Sequence, residues 1–76
     1  MPTAREDLID ALQRAIKEDE GRAGELVTMA KTAGDAMTAA GFHALARTHR
    51  VRALELRGQL ALLQTQDGSS GGRPTE

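Results

Sequence analysis

The feature that most constrains this chain is the dipeptide Gly34-Asp35, which divides it into two amphipathic stretches of similar length, the first acidic and the second basic. From Arg5 to Asp35 eight acids stand against five basic residues, whereas from Phe42 to Gln66 Glu55 is the only acid among four arginines and two histidines. Two such arms, joined by a residue that suits the left-handed end of a helix and a residue that caps the next one, predict an all-α antiparallel helical hairpin.

The first arm opens on Thr3-Ala4-Arg5-Glu6, a capping box in which the threonine hydroxyl and the glutamate carboxylate satisfy orphan amides. Its apolar residues Leu8, Ile9, Leu12, Ile16, Ala23, Leu26, Val27, Ala30 and Ala33 recur at three- and four-residue steps, as one helix face requires. That face is interrupted between Lys17 and Glu25, where Gly21 and Gly24 each weaken a helix by about 1 kcal/mol, so a kink or a break into two shorter helices is open at this point. In the second arm the expected seam is Met37, Phe42, Leu45, His49, Ala53, Leu56, Leu60 and Leu63. The expected organisation is a hairpin over 1–66, with helix one at about 4–33, a turn at 34–35 and helix two at about 36–66. The Gly/Ser-rich stretch 67–76 is expected to be a disordered tail. Folding back at the turn pairs positions whose numbers add to about 69, bringing Ile16 to Ala53, Leu12 to Leu56, Ile9 to Leu60, and Asp19 and Glu20 to His49 and Arg50.

Length makes a lone hairpin a thin structure. A chain of 76 residues with a single aromatic, Phe42, and no cysteine has neither a broad core nor a disulfide to offset its small size. Val51 with Leu54, and Leu62 beside Leu63, widen the apolar surface of helix two beyond the stripe needed to cover helix one. A helix apolar around much of its circumference has to be buried on more than one side. Two hairpins packing as a homodimeric four-helix bundle would achieve that, as would a helix or groove of another protein. The interface residues expected on these grounds are Leu45, His49, Leu54, Leu56, Leu60 and Leu63.

Candidate chemistry is sparse. Glu18-Asp19-Glu20 raises the idea of paired carboxylates, but consecutive helical residues diverge by about 100°, and a solvated acidic patch is the expectation. His49 is weighed as a metal ligand or pH-responsive group against a hydrogen-bonded seam histidine. The latter is favoured, because the only other histidine, His43, lies nearly two turns away on a different face. Arg47, Arg50 and Arg57 can share one exposed face and are the candidates for phosphate contacts. No nucleophile and base pair, nucleotide loop or metal-ligand spacing is present in the sequence, so neither an enzyme nor a cofactor is expected. The charged first residues contain no apolar signal-like run, and the longest purely apolar stretch, Leu60-Ala61-Leu62-Leu63, is far short of the roughly 20 residues that span a bilayer. A cytoplasmic protein with no membrane partner is expected.

In size and two-helix plan, with Gly34-Asp35 at the turn and Arg52-Ala53-Leu54-Glu55 in the second helix, the chain resembles the small co-chaperones of type III secretion needle subunits. The resemblance is one of pattern over the folded part, and it implies a non-catalytic interaction role. The functional expectation is therefore a helical protein–protein interaction module, an adaptor, chaperone or small regulatory subunit, acting as a homo-oligomer. The alternative is a small nucleic-acid-associated regulator that uses the arginine face of helix two.

Overall fold

The computed structural model describes the backbone of residues 2–72 and the side chains of residues 2–65. Helix α1 runs Ala4–Thr32 and helix α2 runs Ala36–Gly72, and the two pack against each other as a hairpin. The capping box forms as its sequence requires. The Thr3 hydroxyl accepts from the Glu6 amide at 3.1 Å, and the Thr3 amide donates to Glu6 Oε1 at 2.9 Å.

α1 is unbroken through Gly21 and Gly24, so neither glycine divides it. The cost of two glycines is met because the seam of α1 continues across them: Asp19, Ala23 and Leu26 are all buried there. At the other end the expectation for Gly34 is corrected, since no described glycine has a positive φ. The chain leaves α1 through Ala33, which is extended at φ −67° and ψ 144°, and its amide still donates to the Ala30 carbonyl at 3.3 Å. An extended residue, one glycine without positive φ and then a cap complete the reversal, and a left-handed residue is not needed. The Asp35 carboxylate then accepts from the Thr38 amide at 2.7 Å and the Thr38 hydroxyl at 2.9 Å, closing the first turn of α2.

α2 continues past Gln66, where helix two was expected to end, to Gly72. No proline stands between Ala36 and Pro74, so propagation, which adds one hydrogen bond per residue, carries the helix into the Gly/Ser-rich stretch. Positions 73–76 of the expected tail lie outside the described residues.

The seam has a strict rhythm. On α1 the residues along the seam are Arg5, Ile9, Leu12, Ile16, Asp19, Ala23, Leu26 and Ala30, with Val27 packed beside them and Ala33 just past the helix end. On α2 they are Ala39, Phe42, Ala46, His49, Ala53, Leu56, Leu60 and Leu63. Both sets alternate steps of three and four, the pattern of an antiparallel coiled coil. Two hydrogen bonds fix the register: Asp19 to His49, and Arg5 to the Leu63 carbonyl at 2.7 Å near the open end of the hairpin. The layers between them, Ile9 with Leu60, Leu12 with Leu56 and Ile16 with Ala53, and those toward the turn, Ala23 with Ala46 and Leu26 with Phe42, follow from it. Their numbers add to 68 or 69, the register expected from the sequence.

Three expected seam residues are corrected. Leu8 on α1 and Met37 and Leu45 on α2 are exposed, while Ala46 is completely buried against Ala23 and Leu26. Near the turn the layers alternate alanine pairs with Leu26 and Phe42. Small side chains there let the helices approach, and a leucine at 46 would overfill the space that Ala46 occupies.

Candidate interaction surface

Midway along the seam the apolar layers give way to one polar layer. Asp19 is 8% exposed, and its Oδ1 accepts from His49 Nδ1 at 2.7 Å and lies 3.6 Å from Arg52 Nη1. The expected solvated patch Glu18-Asp19-Glu20 is therefore corrected at Asp19, while Glu18 and Glu20 are exposed. Asp19 sits three residues after Ile16 and four before Ala23, which makes it a seam residue. Glu20 accepts from Arg57 Nε at 2.9 Å and also from Arg57 Nη2 across the hairpin. A carboxylate that gives up water needs hydrogen-bond donors in return, and α2 supplies an imidazole and a guanidinium on consecutive turns. Such a layer adds little stability over an apolar one, but slipping the register by one turn would leave the carboxylate buried without a partner. His49 is thus a hydrogen-bonded seam histidine, and among the described residues no three His, Asp or Glu side chains gather into a metal-binding group.

The expected interface residues divide between two faces of α2. His49, Leu56, Leu60 and Leu63 are partly buried, whereas Leu54 is exposed on the side away from α1 and Leu45 is exposed at the flank of the seam. Leu54 at 67% exposed is joined by Val51 and by Leu62 at 64%, with Met37 at 84% near the turn. Ala40, Ala44, Arg47, Val51, Leu54, Gly58 and Leu62 fall on the side of α2 opposite the seam, at steps of three and four residues. The outward side of α1 has a different composition: Asp7, Arg14, Glu18, Gly21, Glu25 and Thr28, with Asp10–Arg14 and Arg22–Glu25 ion pairs along its exposed surface. α1 is amphipathic, and α2 is apolar on two opposite sides.

On this outer side of α2 lies a shallow depression lined by Ala44, Arg47, Thr48, Val51, Arg52 and Glu55. Its lining combines Ala44 and Val51 with Arg47 toward one end and Arg52 and Glu55 toward the other. Of the candidate phosphate-contacting arginines, Arg57 is held by Glu20. Arg47 and Arg50 form no ion pair among the described residues, and neither does Glu55. The polar layer was within reach of sequence reading through the three-four rhythm that places Asp19. Ala46 was missed because residue size was weighed above position. No described helix is long and apolar enough to cross a membrane. Set beside family models, curated proteins and solved structures, the chain finds no match in any of the three.

Proposed function

We propose that this hairpin is a non-catalytic protein–protein interaction module, an adaptor, chaperone or small regulatory subunit, that acts as a homo-oligomer. One observation carries the reading: α2 presents Val51, Leu54 and Leu62 on the side turned away from α1, at helical spacing and largely exposed. Exposed apolar residues scattered singly need no partner, but an aligned row on the outer side of a helix is surface that association removes from water. The row is also the staple that a hairpin of this size lacks, since it has no cysteine and a single seam in which alanines alternate with larger apolar residues near the turn. Two hairpins joined through it form a four-helix bundle with α2 helices at the centre and the polar sides of α1 outside.

Light scattering with far-UV circular dichroism, on the same samples across a concentration series, tests this reading. It expects a helical dimer or tetramer whose dissociation on dilution weakens the helix signal. A fully helical monomer at millimolar concentration would refute it. The competing reading, phosphate binding by the arginine face, retains Arg47 and Arg50 as free guanidinium groups, whereas Arg57 would first have to leave Glu20. It requires salt-sensitive retention on DNA or RNA at about 50 mM salt, where phosphate contacts are strong.

A further inference from the structure

We infer that the occupant of the outer face of α2 is a second copy of this chain, running antiparallel, with Val51 of both copies at the twofold axis. This rests on the homo-oligomeric reading above and adds its geometry. Charge selects the direction. Between Ala36 and Gln66 the only acid of α2 is Glu55, which borders the depression at one end beside Arg52, an arginine drawn toward Asp19 in the seam, while Arg47 borders it at the other. A parallel, in-register pair of α2 helices would set Arg47 against Arg47 and Glu55 against Glu55 across the interface. Reversing one helix about Val51 brings together positions whose numbers add to 102, so that Arg47 of each copy faces Glu55 of the other. Like charges placed opposite one another disfavour the first arrangement, and the two symmetry-related attractions favour the second.

Side-chain size agrees with that register. It sets Ala44 opposite Gly58, and a Cβ added at Gly58 would meet nothing within 4 Å of it in the single chain. Two small residues facing each other on either side of Val51 let the helices close on the central valines. The largest exposed side chain at the far end, Leu62, then covers Ala40 of the other copy. The interface is self-complementary, as twofold symmetry demands.

The natural chain has no cysteine, so single cysteines report the geometry without background. Val51→Cys, Ala40→Cys and Leu62→Cys are oxidised mildly, singly and in pairwise mixtures, with circular dichroism to verify that each stays helical. The antiparallel dimer predicts that Val51→Cys links to itself, that Ala40→Cys and Leu62→Cys stay unlinked alone, and that their mixture links. Linking of all three single variants would mean a parallel pair and overturn the proposal. A helical dimer in which none links would place the contact elsewhere, overturning this geometry while leaving self-assembly standing. A helical monomer throughout would overturn both. As a second readout, Glu55→Arg should weaken dimerisation about tenfold by placing arginines against arginines, and Arg47→Glu combined with it should restore most of the loss. Equal affinity of the single and double variants would contradict the pairing.

Discussion

Asp19 carries the most information of any single residue in the hairpin, because it is the one buried group that cannot tolerate a wrong partner. Removing the imidazole with His49→Ala leaves the carboxylate in the seam with only Arg52 at 3.6 Å. A loss of about 1–3 kcal/mol is expected, read as a lower urea midpoint. Replacing the layer as a whole, with Asp19→Leu and His49→Leu together, removes the cost of burying a charge and should give a hairpin at least as stable as either single variant. A double variant less stable than both singles would show that the layer contributes more than register. At the turn, hydrogen bonds from the Thr38 amide first and the Thr38 hydroxyl second hold the Asp35 carboxyl below its ordinary value of 3.8. A carboxyl with a depressed folded-state pKa stabilises the fold above its unfolded value, and that contribution is lost as pH falls through the folded one. Asp35→Asn still caps but does not titrate, so thermal melts should show natural chain and variant converging in acid relative to neutral pH. A gap unchanged with pH would mean that the charge on Asp35 contributes nothing to the cap.

At the scale of the helices, the two arms solve different problems. α1 buries one face and solvates the other, and its glycines are dispensable to packing: a Cβ at Gly21 or Gly24 would meet nothing within 4 Å. Gly21→Ala and Gly24→Ala should each raise stability by about 0.5–1 kcal/mol through helix propensity and reduced freedom of the unfolded chain. A destabilising effect of either would reveal a neighbour on the outer side of α1. The boundaries of both helices near the turn, the capping box, the Asp35 cap and the pairing register were all legible in the sequence, because caps and apolar spacing are local signals. Three things were not. The rhythm of α2 admits two solutions near its start, through Leu45 or through Ala46, and only contact with Ala23 and Leu26 on the opposite helix decides between them. The path through Ala33 depends on where the second helix docks. The continuation of α2 into its glycines and serines runs against composition, which weighs residue types and not the absence of a stop.

For the molecule as a whole, the seam between α1 and α2 is one interface and the outer row on α2 is proposed as another, so α2 is the central element of an assembly rather than half of a hairpin. The candidate surface was legible in outline, since Leu54, Val51 and Leu62 exceed what covering α1 needs. Its division from the seam was legible as well, because residues two apart on a helix point roughly 160° from one another, which sends Leu54 and Leu56 to opposite sides. That division gives the most direct test. Leu54→Glu and Leu56→Glu should be measured side by side by light scattering and circular dichroism. The account predicts that Leu54→Glu abolishes the oligomer and keeps the weakened helix signal of the dissociated hairpin, whereas Leu56→Glu, which places a charge in the seam, loses most of its helix. Native mass and helicity for Leu54→Glu, or the same behaviour for both variants, would contradict a helix with two separate apolar faces.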